Sequence, residues 1–232
     1  MSTGVQIELT SPDGHRFSAY RNAPAGASLG GVVVLQEIFG VNAHIRSICD
    51  RLTAEGFATV APALFDRRQR GFELGYTDED IGKGKVISRS IPFDEMMVDV
   101  QTAVSSLSEA GPVSVIGFCM GGSLAYLAAT RFENVASAVS FYGARVLDYR
   151  DEVPRVPVQL HYGAFDASIP LGEVETVMSA RPDCDLYIYP AEHGFNCDAR
   201  ASYHPASAAA AWRRTLALLH RAARGPSGSE KE

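Results

Sequence analysis

The sequence predicts an α/β fold in which helices cover both faces of a mainly parallel central sheet. Strand-like and helix-like segments alternate along the 232 residues, which is the pattern of a parallel sheet with helical crossovers. Residues 31–36 and 57–61 are almost continuously apolar, as expected for strands buried on both sides. Since the alternation shows no internal repeat, we expect a single domain over residues 1–224. Residues 225–232 are predicted to be a disordered tail.

The elements follow in an order that fits this fold. Residues 5–9 and 17–21 flank the turn sequence Ser11-Pro12-Asp13-Gly14, which indicates an N-terminal antiparallel hairpin. Apolar spacing predicts helices over residues 42–55, 93–109, 123–130, 170–180 and 202–223. The remaining strands are predicted at residues 113–116, 136–142, 156–162 and 185–189.

Residues 66–92 depart from the alternation because they are polar and glycine-rich, with weak helical character from Asp78. We interpret them as an excursion or cap over the sheet edge, where loops often contact ligands. Two alternatives stay open for their basic residues, which either face an anionic ligand or lie on a solvated surface.

Composition argues against several classes of partner. The net charge is −6 and no long block of Lys and Arg is present, so we expect neither nucleic acid nor an acidic membrane surface as a partner. The first residues lack the basic and apolar regions of a signal peptide. Four cysteines without a C-x-x-C pair do not form a disulfide scaffold, which favours the cytoplasm.

The segment at residues 113–122 carries the strongest chemical signal. A β-branched run leads into Gly117-Phe118-Cys119-Met120-Gly121, and a helix-like segment follows. This is the strand–turn–helix layout of a nucleophile elbow, with cysteine in the usual place of serine. A thiol at a helix N-terminus is favoured as an anion. The alternative is a buried structural cysteine in a glycine-rich turn.

Two later residues complete a candidate catalytic triad. Asp166 follows the strand predicted at 156–162, and His193 follows the last strand. The carboxyl ends of parallel strands share one sheet edge, so both are expected beside Cys119. His193 could accept the thiol proton, and Asp166 could hold the imidazole in place. Taken alone, Asp166 could instead cap a helix and His193 could be an ordinary loop residue.

A further motif, at residues 36–42, ends the strand that begins at Gly31. Glu37 would be a carboxylate at the end of a buried strand, and such a group needs a partner. The partner is either an arginine in a structural ion pair or Cys119. The backbone N–H groups of Ile38 and Met120 are predicted oxyanion donors. The sequence shows no spacing typical of a metal site and no nucleotide loop, so we expect neither metal nor cofactor.

The motifs at residues 36–42 and 117–122, with Asp166 and the His193-Gly194-Phe195 tripeptide, together resemble the dienelactone hydrolase (carboxymethylenebutenolidase) family. The resemblance spans residues 5–220. It implies an α/β-hydrolase fold, a Cys-Asp-His triad and a role for Glu37 in thiol activation. It also implies hydrolysis of a cyclic enol ester, 4-carboxymethylenebut-2-en-4-olide, to maleylacetate. An enolate leaves easily, so expelling it needs little acid assistance.

The sequence departs from the family at the arginines that hold the substrate carboxylate. Cys197 stands four residues after the histidine, where an arginine is expected, and Arg200 comes three residues later. The second of these arginines is expected near position 82, where the sequence instead has Gly82 followed by Lys83 and Lys85. The residues predicted to contact the substrate are Phe39, Tyr142, Phe195 and Arg200.

Three functions stay open. The first is hydrolysis of a carboxylic ester or lactone through Cys119, with dienelactone as the leading substrate, by a monomer or small homo-oligomer. The second is hydrolysis of an unrelated ester or thioester, which the altered arginines favour. The third is a non-catalytic binding protein with the same fold.

Overall fold

One eight-stranded sheet organises the computed structural model, which describes residues 4–225. The predicted tail lies outside the described residues except for Gly225. The strands are β1 (Val5–Thr10), β2 (Arg16–Asn22), β3 (Gly31–Leu35), β4 (Ala58–Pro62), β5 (Val113–Phe118), β6 (Ser137–Phe141), β7 (Val158–Gly163) and β8 (Asp185–Tyr189). The helices are α1 (Ala43–Ala54), α2 (Asp78–Arg89), α3 (Phe93–Ser105), α4 (Met120–Arg131), α5 (Leu171–Ala180) and α6 (Pro205–Ala223).

The strand order is β1-β2-β4-β3-β5-β6-β7-β8. Strands β1 and β2 pair antiparallel, β2 joins β4 antiparallel, and every other pair is parallel. The predicted mainly parallel sheet with an N-terminal hairpin is therefore confirmed. Because β3 and β5 to β8 are parallel, the residues that follow them come together at one edge of the sheet.

The sheet buries both of its faces. In β3, Val32 and Val34 pack into one apolar cluster with α1 and α6, whereas Val33 and Leu35 pack into another with α3 and α4. This alternation follows from the two-residue period of a strand. It explains why β3 is apolar throughout rather than at every second position.

Helix boundaries differ modestly from the predictions. Helix α3 ends at Ser105 rather than at 109, and a short 3₁₀ turn then leads to Gly111, whose φ is 104°. Helix α6 begins at Pro205 rather than at 202, with His204 Nδ1 accepting a hydrogen bond from Ser207 N. Proline is favoured at this first helical position because it has no N–H to leave unpaired.

The polar excursion contains a well-formed helix. Thr77 and Asp80 form a reciprocal capping box at the start of α2, and that box explains why helix formation begins at Asp78. The three arginines that precede α2 form ion pairs with acidic side chains, as Arg67–Asp99, Arg68–Glu95 and Arg70–Glu8. These arginines therefore fasten the excursion to the rest of the fold.

Helix α4 approaches the end of β3 more closely than any residue with a Cβ would allow. The Gly121 N–H donates to the Gln36 carbonyl oxygen at 3.1 Å. A Cβ at Gly121 would lie 2.5 Å from the Leu35 carbonyl oxygen and 2.6 Å from that of Gln36. This contact fixes the start of α4 against the residues that follow β3.

Within residues 4–225, every helix is too short or too polar to cross a lipid bilayer.

We predict that Gly121→Ala lowers the free energy of unfolding by about 2 kcal/mol or more, because backbone atoms of β3 or α4 must move to relieve the clash. Urea denaturation measures the change. Gly172→Ala is the matched control, since a Cβ there meets no atom within 4 Å. That variant should be more stable by about 0.5–1 kcal/mol. Equal effects of the two substitutions would contradict the proposed backbone constraint.

Candidate active site

Cys119 lies in a sharp turn between β5 and α4. Its backbone adopts φ 54° and ψ −116°, a left-handed conformation that costs of order 1–3 kcal/mol for a residue with a side chain. A Cβ at Gly117 would overlap the carbonyl group of Gly121. The two flanking glycines are therefore required by the turn, and the turn holds the partly exposed thiol at the N-terminus of α4.

Asp166 and His193 meet at the same sheet edge. His193 Nδ1 lies 2.7 Å from Asp166 Oδ2. The other carboxylate oxygen, Oδ1, accepts hydrogen bonds from the backbone N–H groups of Ser168 and Ile169. The predicted alternative of a helix cap is wrong for Asp166, because the N-cap of α5 is Pro170 and Asp166 instead stabilises the preceding turn with one oxygen while the other contacts the imidazole. The turn thereby fixes the orientation of the carboxylate toward His193.

The charge state of His193 depends on Cys119. Burial lowers the pKa of the imidazole, but the nearby Cys119 sulfur, which also hydrogen bonds with the ring, and Asp166 together raise this pKa to about 10. The nearby sulfur and Asp166 therefore favour the protonated ring. Since Asp166 occupies Nδ1, the other ring nitrogen, Nε2, is left for the sulfur.

The N–H groups of Ile38 and Met120 lie on either side of the contact between Gly121 and Gln36. Neither donates a hydrogen bond to another group within residues 4–225. Met120 is the first residue of α4, and the first N–H groups of a helix have no partner inside it. Both donors are thus free to bind an anionic oxygen.

Glu37 is buried and forms an ion pair. Its Oε1 accepts a hydrogen bond from Arg200 Nη1 at 3.1 Å. Of the two partners considered for Glu37, the structure contains the arginine, and no hydrogen bond joins Glu37 to Cys119 among the described residues. Arg200 also stacks over Phe39 at 5.7 Å and over Tyr76 at 6.0 Å. Its guanidinium is therefore held on several sides.

Glycine beside the histidine makes room for this arginine. Gly194 has φ 78°, and a Cβ there would collide with the guanidinium of Arg200. The His193-Gly194 pair thus places the imidazole on one side of the loop and admits Arg200 on the other.

Glu37 lies close to two other buried side chains that could bind a metal ion. Glu37, His44 and Cys197 each offer a potential ligand atom, and these atoms lie within 4.8 Å of one another. Glu37 Oε2 and His44 Nε2 have no hydrogen-bond partner among the described residues. Arg200 already neutralises Glu37, and its charge would repel a divalent cation. The absence of a metal site stays a prediction.

Cys197 differs from Cys119 in its surroundings. Its side chain is buried beside Tyr76, and burial together with the charge of Glu37 raises the pKa of its thiol to about 11. It is therefore a neutral thiol at physiological pH. Neither Tyr76 nor His44 was indicated by the sequence, since Tyr76 reaches Cys197 from the polar excursion and His44, although it lies just after the 36–42 motif, has no recognisable spacing from Cys197.

The predicted aromatic contacts are largely buried. Phe39 packs edge-on against Tyr76, with ring centroids 4.8 Å apart. Tyr142 has φ 40°, and its ring lies 4.9 Å from that of His193. Phe195 has no exposed surface and packs among Phe141, Tyr142 and Tyr189. Tyr142 is likewise fully buried, so neither Phe195 nor Tyr142 presents a surface to a ligand, and it is Tyr142 that contacts His193.

A cleft of about 380 Å³ opens beside Cys119, and we call it the Cys119 cleft. Its wall comes from the end of α2, the start of α3, the start of α4 and the loop after β6. It includes Arg89, Ile91, Phe93, Cys119, Met120 and Arg145. Sequence reasoning did not single out Arg89 or Arg145, because neither belongs to a recognisable motif.

Relatives with known names share most of this chain. A "Putative carboxymethylenebutenolidase" of Synechocystis sp. is 36% identical over 209 residues, covering 81% of this chain and 84% of that protein. The "Carboxymethylenebutenolidase" of Pseudomonas putida is 31% identical and covers 92% of this chain and 94% of its own length.

Solved structures of hydrolases are also similar to this chain. The crystal structure titled "Putative Dienelactone Hydrolase" from Klebsiella pneumoniae matches with a TM-score of 0.82 at 32% identity, covering 93% of this chain and 98% of the other. A Pyrococcus furiosus esterase, at 16% identity and a TM-score of 0.71, shares the fold over 94% of this chain and 92% of its own. The predicted α/β-hydrolase fold is confirmed.

The sequence profile of the dienelactone hydrolase family matches residues 17–223. With this match and the relatives above, the chain belongs to the dienelactone hydrolase family.

Proposed function

We propose that this protein is a cysteine-dependent hydrolase of a carboxylic ester or lactone. One observation carries the proposal: the thiol of Cys119, held in a strained turn, faces an imidazole whose far nitrogen lies 2.7 Å from Asp166. The base thus contacts the nucleophile on one side and the group that orients it on the other. This is the arrangement that acyl transfer requires.

The first half of the reaction forms a thioester. The Cys119 thiolate attacks the carbonyl carbon of the ester, and the carbonyl π electrons move to oxygen. The N–H groups of Ile38 and Met120 stabilise that oxyanion. When the tetrahedral intermediate collapses, the bond to the leaving oxygen breaks. His193 gives its proton to that oxygen, either as the bond breaks or, for a stable enolate, after the enolate has departed, so the imidazole becomes neutral.

The second half releases the acid. His193, now neutral, removes a proton from water, and the resulting hydroxide attacks the thioester carbonyl. Collapse of this second intermediate breaks the carbon–sulfur bond. The carboxylic acid leaves and the thiolate–imidazolium pair is restored. Throughout, Asp166 stabilises the imidazolium and keeps Nε2 directed at the sulfur.

Glu37 is proposed to modulate the thiol. Its carboxylate is held by Arg200 rather than by Cys119, so the two negative groups are kept apart in this structure. Loss of the Arg200 pair would free the carboxylate to act on the thiol, in line with the role that the family resemblance implies. Arg200 is therefore assigned to the control of Glu37.

Dienelactone is the leading substrate because relatives named carboxymethylenebutenolidase cover most of the chain. An unrelated ester is the second candidate. It is favoured by Cys197, which occupies the expected arginine position, and by the engagement of Arg200 with Glu37. Cytoplasmic location and oligomeric state stay predictions.

We predict that the wild-type protein hydrolyses cis- or trans-dienelactone or, if neither lactone is a substrate, 4-nitrophenyl acetate. We also predict that Cys119→Ala lowers kcat/KM by at least about 1000-fold, because no other thiol among the described residues contacts His193. Loss of lactone absorbance and release of 4-nitrophenolate measure the two reactions.

Cys184→Ala is the control for removal of a thiol elsewhere, since Cys184 precedes β8 away from the triad. It should retain wild-type activity. Circular dichroism should show that both variants are folded. Turnover of the Cys119 variant above about a tenth of the wild-type rate would overturn the assignment of the nucleophile. Activity on the simple ester alone would keep the triad and favour the second candidate substrate class.

A second prediction concerns the protonation of His193. In Cys119→Ala the sulfur that raises the His193 pKa and its hydrogen bond with the ring are lost, while burial still lowers that pKa. We expect the His193 pKa to fall by at least about one unit, and histidine NMR titration measures this change. Cys197→Ala, which removes a buried thiol that does not contact His193, should leave the titration unchanged. An unaltered His193 pKa in the Cys119 variant would refute the ion pair.

A further inference from the structure

The Cys119 cleft contains two arginines that the proposed mechanism does not use. Arg89 lies in the last turn of α2, and Arg145 lies in the 3₁₀ segment Ala144–Tyr149 after β6. They reach the cleft from separate elements, while Cys119 and Met120 form another part of its wall. A substrate whose ester group reaches Cys119 through this cleft therefore shares the cleft with both arginines.

The charge of Arg89 is uncompensated. Its side chain is exposed and forms no ion pair or hydrogen bond with another group in the part of the chain that the structure describes. By contrast, the arginines just before α2 are paired with acids, as Arg68 is with Glu95. A free guanidinium beside a reactive group is suited to a carboxylate, which it can bind through two parallel hydrogen bonds.

Neighbouring side chains hold Arg145 in place and engage part of its guanidinium. Its guanidinium stacks over the ring of Phe93 at 4.2 Å. Nε donates to Asp148 at 3.0 Å and Nη2 donates to the hydroxyl of Tyr149 at 3.0 Å. Nη1 has no partner among the described residues. Because Asp148 offsets much of its charge, Arg145 is the weaker of the two anion-binding groups.

Arg200 cannot take this role in the observed arrangement. Its guanidinium is paired with Glu37, stacked on two aromatic rings and only 17% exposed. It does not line the Cys119 cleft. An anionic group of a substrate in this cleft therefore meets Arg89 and Arg145 rather than Arg200.

The rest of the cleft sets the shape of the ligand. Ile91, Pro92, Phe93 and Met120 contribute apolar surface to the same cleft as the arginines and the thiol. The volume of about 380 Å³ is at the small end for ligand pockets. A short apolar segment with a carboxylate at its far end matches this distribution of groups.

We propose that Arg89, assisted by Arg145, binds a carboxylate on the substrate, so that the enzyme prefers esters that carry a carboxylate a few bonds from the scissile carbonyl. This inference rests on the proposed function, since it presumes that Cys119 is the nucleophile. It names Arg89 and Arg145 as specificity-determining residues.

Two matched esters test the proposal. Mono-4-nitrophenyl glutarate carries a free carboxylate, and its methyl ester is the neutral counterpart with the same leaving group. The wild-type protein should prefer the anionic ester in kcat/KM. Arg89→Gln should reduce that preference by about 10-fold, mainly through KM, and Arg145→Gln should reduce it less. Arg89→Lys should restore part of the preference, because a charge remains without the planar fork.

Arg68→Gln is the matched control, because Arg68 is an exposed arginine outside the Cys119 cleft. It should leave the preference unchanged. A wild-type protein without preference for the anion, or a preference that survives both substitutions in the cleft, would overturn the inference while leaving Cys119 as the nucleophile. Retained hydrolysis in Cys119→Ala would instead count against the proposed function.

Binding provides a second readout that does not depend on turnover. Monomethyl glutarate is titrated into Cys119→Ala and followed by NMR chemical shifts. We expect saturable binding that weakens about 10-fold when Arg89→Gln is added. Absence of binding at tens of millimolar, or equal affinity in both proteins, would overturn the inference even if neither glutarate ester is hydrolysed.

Discussion

The close contact between the start of α4 and the end of β3 determines the geometry of the whole candidate site. The hydrogen bond from Gly121 to the Gln36 carbonyl oxygen brings two chain segments within backbone distance. One segment carries the thiol and the Met120 N–H, and the other carries the Ile38 N–H and Glu37. A side chain at Gly121 would separate them. The strain at Cys119 is tolerated because fully buried strands on either side leave the turn no room to relax.

Buried charge organises the opposite side of the site. Taking Glu37 and Arg200 out of water is costly, and the cost is offset only when both are well paired. Their ion pair connects the loop after β8 to the loop after β3. Gly194 allows this pairing by giving the guanidinium space beside the backbone of the histidine loop. The positions of His193 and Glu37 are therefore coupled through Arg200, although the two side chains belong to different parts of the chain.

Local patterns were enough to predict the sheet, the hairpin and the order of the candidate triad. The turn at Cys119 could be predicted because it needs glycine at fixed spacing, and Asp166 and His193 because each follows an apolar strand. Contacts that depend on tertiary packing could not be predicted. An arginine was one of two partners expected for Glu37, but its identity as Arg200 and the approach of Tyr76 could not be predicted, because both residues come from distant segments with no common spacing. Phe195 was a reasonable candidate contact in a motif, but its ring completes the core behind His193.

Arg200 and the arginines of the Cys119 cleft meet different physical requirements. This difference matters for the position at which the chain departs from its family pattern. A buried carboxylate such as Glu37 requires a permanent cation, and Arg200 meets that need with a guanidinium immobilised by aromatic rings. A substrate anion requires a cation that is accessible before binding and free of internal partners, which describes Arg89. If Arg200 bound a substrate anion as well, Glu37 would lose its counter-ion. Under the proposed role of Arg89, replacement of the expected arginine by Cys197 does not by itself remove the capacity to bind an anion, because the Cys119 cleft contains a separate and accessible cation.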